Sequence, residues 1–279
     1  MSPKVTDEVS TLSTRKEHTM HGELKLTGIV LSSMPVGDYD RRVSLITCEK
    51  GRISAFARNA RRPMSTLRAV SMPFTYGRFS VFAGRDSYSV NGCEDTVYFD
   101  SLSTDLDKTY YGMYFCELMS FFTRENSEER EQVKLLYTAL KALQDGKLPL
   151  PFIRSIFELR CLANYGEAPN IFECSACNRK TDSNLWLFNH RQGTLKCRYC
   201  ANINEKSRPS GQDELILPET VRYAMHYTIT APYKTLFGFK LIPEMEEQYR
   251  ATVTTIIKNH VDKPLKTLEL LDTVGYNVH

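Results

Sequence analysis

The chain reads as an α+β protein: a small closed N-terminal β-barrel of the OB or SH3-like kind followed by an α-helical domain that carries an inserted four-cysteine zinc module. Three observations predict this. Short alternating runs broken by turn residues fill residues 24–93, helical periodicity replaces them after residue 100, and two Cys-x-x-Cys pairs stand inside the helical part. With 279 residues and 42% hydrophobic content, the chain is long enough for two domains and an insert.

Residues 1–22 are polar and charged with no apolar core of a signal segment, so a disordered extension is expected there, with Met20 as a candidate start. The barrel is expected over residues 23–100. Its strands fall near 24–31, 42–47, 52–58, 73–82 and 87–90, separated by Pro35, Gly37, Gly51, Gly84 and Asp86. Five short strands in about 70 residues suggest closure into a small OB or SH3-like barrel, because closure removes exposed edges. Val43, Leu45, Ile53 and Ala55 alternate with Ser44, Ile46, Arg52 and Ser54, the period of a half-buried strand pair turning at Glu49, Lys50 and Gly51.

That strand pair and the loop after it, DYDRRVSLITCEKGRISAFARNARRPMSTLR from Asp38, hold eight basic against three acidic residues, in a chain whose formal charge is only +3. A positive field concentrated on one short region suits a polyanion, since phosphates need fixed cations to displace their counterions. The candidate residues for holding such a polyanion are Arg41, Arg42, Arg52, Arg58, Arg61 and Arg62. Tyr39, Phe56, Phe74, Tyr76, Phe79, Phe82 and Tyr88 lie in the same region, and one or two of them on the basic face would give single strands a stacking platform. Alternation alone does not say which.

The helical domain is expected over residues 101–279. Asn126 with Glu129 makes a capping box ahead of Val133, Leu136, Tyr137, Leu140 and Leu143, and Gly146 ends that helix. Pro151 suits a first helical position before Ile153, Ile156 and Phe157, with Gly166 as the stop; further helices are expected near 218–230 and 243–261. The apolar run at 110–122 is interrupted by Glu117 and too short to span a membrane.

The zinc module is expected at about residues 171–203. Cys174 and Cys177 are separated from Cys197 and Cys200 by 19 residues, a spacing that brings four thiolates around one Zn2+ through two knuckles and a hairpin near Trp186, Leu187 and Phe188. Four protein sulfurs close the coordination shell, so the metal should be structural. The net −2 of such a centre can be offset by Arg179, Lys180, Lys196 and Arg198; His190 could replace a sulfur, but a lone His in a hairpin is more often plain surface. Cys48, Cys93, Cys116 and Cys161 are scattered singly, which favours a reducing compartment over a disulfide framework.

No phosphate-cradling glycine motif, nucleophile elbow or helically spaced carboxylate pair is present, and His18, His21, His226, His260 and His279 have no recognisable nucleophile partner. The chain therefore does not read as an enzyme. A zinc hydrolase or deaminase would need an open metal position beside an acid such as Glu173; a zinc-ribbon RNA-binding or transcription-associated adaptor would share the basic barrel and is the alternative reading.

GIVL from Gly28, DRRVSLIT from Asp40, KGRISAFA from Lys50, ARRP from Ala60, the Tyr165-Gly166 helix end and PLKTL from Pro264, in that order around the cysteine quartet, resemble the RecO family of bacterial recombination mediators over residues 24–274. Asn59 stands where that family usually has Gly, a change Asn permits because it tolerates positive φ. The resemblance implies an N-terminal OB-fold β-barrel followed by an α-helical domain with a zinc module, in a non-enzymatic, cytoplasmic and nucleoid-associated role. It implies binding of single- and double-stranded DNA, annealing of complementary strands, and help in loading the RecA recombinase onto strands coated by single-stranded-DNA-binding protein. RecR and the tail of the coating protein are the implied partners. Some family members lack the cysteines, so zinc is not the source of the shared activity.

Overall fold

A computed structural model describes residues 22–84, 87–180 and 183–275; the extension expected over residues 1–22 lies, apart from Gly22, outside them. The barrel consists of β1 (Glu23–Val36), β2 (Asp40–Thr47), β3 (Gly51–Ala57), β4 (Tyr76–Ala83) and β5 (Tyr88–Val97), closed in the order β1-β2-β3-β5-β4. The β3–β5 pairing is parallel and the others antiparallel, as a five-stranded OB-fold requires. Its interior is Leu26, Val30, Val43, Leu45, Ile53, Ala55, Phe79, Val81 and Val90, each from the inward phase of its strand.

The expected β2–β3 turn is in place. Gly51 has φ +64, and a Cβ there would fall 2.1 Å from the Arg124 carbonyl oxygen, so glycine is required twice over. Asn59 adopts φ 55, the conformation that lets it stand in for glycine. Ile46, expected on the outer face, is fully buried opposite Ile29 because α3 (Leu106–Phe122) packs on β1 and α4 (Arg130–Asp145) covers β1 and β2. Two short turns, α1 (Leu67–Val70) and α2 (Asp100–Ser103), complete this part.

The capping box ahead of α4 does not form. Asn126 takes φ 63 and donates its N–H to the Lys50 carbonyl at 2.9 Å, while the Glu129 N–H reaches the Cys48 carbonyl at 3.1 Å and its carboxylate accepts from Ser127 Oγ at 2.9 Å. The segment is laid along the β2–β3 turn, and that long-range contact, not a local box, fixes where the helix begins. Gly146 ends α4 with φ 63, as expected.

The second compact unit runs from Gly146 to Pro264. It contains α5 (Leu150–Asn164), β6 (Leu185–Asn189), β7 (Thr194–Cys197), α6 (Arg198–Ala201), β8 (Glu214–Pro218), α7 (Glu219–Thr230), α8 (Tyr233–Leu236) and α9 (Pro243–His260). Pro151 lies in the first turn of α5 and Gly166, φ 75, follows its end. Helices α5, α7 and α9 pack together, with Phe152 edge-on to Tyr249 at 5.4 Å and the Tyr249 hydroxyl 2.8 Å from Thr228 Oγ1. The three-stranded sheet is ordered β7-β6-β8. β6 and β7 form the expected hairpin, and β8 extends the module beyond residue 203. Trp186 on β6 is fully buried and donates to the Glu219 carboxylate, which also holds Arg222; Arg222 donates in turn to the Ile171 carbonyl at 3.0 Å, tying the sheet to α7.

The other compact unit comprises the described residues up to Asp145 together with the segment from Leu265, so α3 and α4 pack with the barrel. They cover the barrel wall, and α10 (Lys266–Gly275) is held on α3. Glu117 accepts the Lys266 N–H at 3.1 Å, the Thr267 N–H at 2.9 Å and the Thr267 hydroxyl, capping the N-terminus of α10 with a carboxylate. This is why a charge interrupts the apolar run at 110–122. Among the described residues no helix is long and apolar enough to cross a membrane.

Candidate functional site

The basic candidates do not form one uniform surface. Strand register places Arg41 opposite Ala57 and Arg42 opposite Phe56, at one end of the β2–β3 pair, whereas Arg52 lies opposite Ile46 near the other. Four to five residues at about 3.4 Å each put roughly 15 Å between these ends. After β3 the chain folds back along the β1–β2 turn: Asn59 N–H donates to Asp40 Oδ1 at 2.7 Å and Arg61 N–H to the Tyr39 carbonyl at 2.8 Å. Arg58, Arg61 and Arg62 thereby join Arg41 and Arg42 at one end of the barrel.

At that end Arg42, Arg58, Arg61 and Arg62 are exposed. Arg42 Nε donates to Ser54 Oγ at 2.9 Å and Arg61 Nη1 to the Gly37 carbonyl at 3.1 Å, which orients each guanidinium and leaves further donors for a ligand. Arg62 lies 4.7 Å from the ring centroid of Tyr39, whose side chain is 49% exposed. Arg41 is half-buried; its Nη1 donates to Ser33 Oγ at 3.2 Å, and its Nε is buried without a hydrogen-bond partner. Arg52 is committed elsewhere, donating from Nη1 to the Ser120 carbonyl at 2.8 Å in the last turn of α3, where a cation is favourable. Of the aromatics, Phe79 is core, Phe74 is buried with φ 69, Tyr76 packs edge-on against Tyr137 at 4.8 Å, Phe56 is half-buried directly across from Arg42, and Tyr39 lies against Arg62.

The four cysteines meet as expected. Cys174, Cys177, Cys197 and Cys200 bring their sulfurs within 4.8 Å of one another, with Cys177 Sγ 3.8 Å from Cys197 Sγ. A tetrahedron of metal–sulfur bonds of about 2.3 Å has edges of about 3.8 Å, so the sulfurs suit a thiolate-bound ion, whereas a disulfide needs about 2.05 Å. The knuckles are built by the backbone. Asn178 N–H returns to the Cys174 carbonyl at 2.8 Å with Asn178 at φ 58, and Asn202 at φ 52 closes the second knuckle. Burial acts to raise the Cys174 thiol, but the N–H groups of Cys197, Ala176 and Cys177 outweigh it and bring it down to about 6. Cys200 moves the other way, to about 12, because hydrogen bonds with the Cys177 and Cys197 sulfurs favour its protonated form. A bound cation removes that competition by ionising all four. His190 is not part of the set; its ring Nδ1 accepts from Asn259 Nδ2 at 3.1 Å.

The remaining cysteines are packing residues. Cys48, Cys116 and Cys161 are buried, and burial pushes the Cys48 thiol up to about 12 and raises Cys116 as well, so neither ionises near neutrality.

Comparison with known proteins agrees with this geometry. Residues 20–99 match the family model described as Recombination protein O N terminal, and residues 103–269 match Recombination protein O C terminal. The chain is 30% identical over 240 residues to the DNA repair protein RecO of Alkaliphilus metalliredigens, covering 86% of this chain and 94% of that protein. It is 26% identical over 253 residues to that of Acetivibrio thermocellus, covering 90% and 97%. Both halves of the chain and the order of its parts are thus accounted for, and the chain belongs to the RecO family of DNA repair proteins.

Proposed function

We propose that this RecO-family chain, a non-enzymatic recombination mediator, binds single- and double-stranded DNA through the arginine end of its barrel and anneals complementary strands there. The observation that supports this most is that the loop after β3 folds back on the β1–β2 turn and brings Arg58, Arg61 and Arg62 to the end of the barrel that carries Arg41, Arg42 and the exposed Tyr39. Arg52, held against α3, is left outside the group.

Annealing needs no catalytic group. Two phosphate backbones repel each other, and a basic surface that holds both lowers the cost of bringing them together while the bases stay free to pair. Contacts to phosphate carry no base information, so the site acts on every sequence alike. Tyr39 offers one stacking face beside the Arg62 guanidinium.

Cys174, Cys177, Cys197 and Cys200 hold one Zn2+ whose part is structural: four sulfurs leave no position for a water. The partners that accompany this role are RecR, the acidic tail of a single-stranded-DNA-binding protein received by the helical domain, and the RecA recombinase whose loading the chain assists, in the bacterial cytoplasm at the nucleoid. The deciding experiment is annealing of complementary oligonucleotides by the purified chain without ATP. The wild type should accelerate it, and Arg61→Glu with Arg62→Glu should abolish most of the acceleration. A folded double variant that anneals at the wild-type rate would overturn the assignment of this surface.

A further inference from the structure

The zinc module carries a cluster that the barrel site does not use. Tyr199, on the α6 turn between Cys197 and Cys200, leaves 62% of its surface exposed. The Arg179 guanidinium lies 4.8 Å from its ring centroid and that of Arg198 5.4 Å. Neither arginine is loosely placed. Cys174 N–H donates to the Arg179 carbonyl at 2.8 Å, while Arg198 donates its own N–H to Ser183 Oγ at 3.1 Å and its Nη1 to Asn184 Oδ1 at 2.8 Å. The turns that gather the four sulfurs therefore also set this stack.

The surroundings are cationic. Residues 171–210 hold seven basic and three acidic residues, so even with the −2 of a tetrathiolate zinc centre the module stays positive. Lys180 and Lys196 are exposed, and the pairing of Lys180 with Glu173, at 4.0 Å on the surface, neutralises little. An exposed aromatic ring with two guanidinium groups over it brings planar π surface and positive charge together, the pair of features by which single strands are held without sequence readout.

We infer that the Arg179–Tyr199–Arg198 cluster is a second site for single-stranded DNA, separate from the barrel arginines, on which a base stacks while the flanking cations meet its phosphates. The site itself stands independently of the barrel reading; its part in annealing rests on that reading, since a chain with two strand sites can hold both partners of a future duplex.

The test uses the full zinc-loaded chain and an oligothymidylate strand carrying 5-iododeoxyuridine. On irradiation the strand should cross-link to Tyr199, and unlabelled oligothymidylate should compete the adduct away. Tyr199→Ala, with zinc content unchanged, should weaken the remaining single-strand binding about five- to hundredfold in a chain whose barrel site is silenced by Arg61→Glu with Arg62→Glu. Should the alanine variant lose zinc, Arg179→Glu replaces it and the cross-link decides. Adducts absent from residues 197–200, or single-strand affinity unchanged by either substitution, would overturn the inference and leave the barrel site standing. A Tyr199 adduct alongside barrel variants that bind and anneal normally would do the reverse.

Discussion

The barrel and the small sheet beside the four cysteines are held together by different means. The barrel buries nine apolar side chains inside a closed ring of five strands and has a further wall of α3 and α4 over β1 and β2. The sheet of β6, β7 and β8 has three strands of four or five residues, and Trp186, Phe188 and Leu195 are its main buried hydrophobic side chains. So small an apolar core does not stabilise a fold by itself, and the four sulfurs stand where more core would otherwise be needed. The lesson is that the two basic surfaces depend on different forces: one should survive chelation, and the other should not.

Loss of the proposed zinc should give the largest separation. Structural zinc supplies about 10–16 kcal/mol of apparent binding energy in isolated finger peptides, so Cys174→Ser or a strong chelator should unfold the module. Trp186 is the single tryptophan and is fully buried there, so its emission should shift to the red while amide hydrogen exchange in β1 to β5 stays slow. Metal analysis giving no zinc in a folded, unoxidised preparation would end this half of the comparison.

Leu45→Ala makes the opposite break. Leu45 is fully buried in the barrel interior, and its truncation should cost about 2–5 kcal/mol, lowering the melting temperature with zinc stoichiometry unchanged. A smaller effect is expected at the junction that brings α10 onto α3. Glu117→Ala removes three accepted hydrogen bonds at a helix N-terminus and should cost about 1–2 kcal/mol, seen first as faster exchange over residues 266–275.

What was legible in the sequence follows from how local each signal is. Strand alternation, the Gly51 turn, Pro151 and Gly166 around α5, and the paired Cys-x-x-Cys motifs all act within a few residues and appear where expected. Signals that depend on distant contacts were hidden. Asn126 and Glu129 match a capping box, yet the carbonyls of Lys50 and Cys48 take their N–H groups. Glu117 looked only like an interruption because its partners lie about 150 residues away. β8 is a strand because β6 offers it an edge. The arginines show the same limit: charge density found the region, but only register and the fold-back of residues 58–62 separate Arg52 from the rest.

That separation is the most direct test of the barrel assignment. Single-strand affinity measured across salt concentrations should give a slope of log K against log salt near −3, as about four phosphate contacts at about −0.7 each require. Arg61→Glu with Arg62→Glu should flatten the slope and weaken binding alike on every sequence, whereas Arg52→Gln should lower stability by about 1 kcal/mol and leave the slope as it is. An unchanged slope in a folded Arg61→Glu, Arg62→Glu chain would contradict the account.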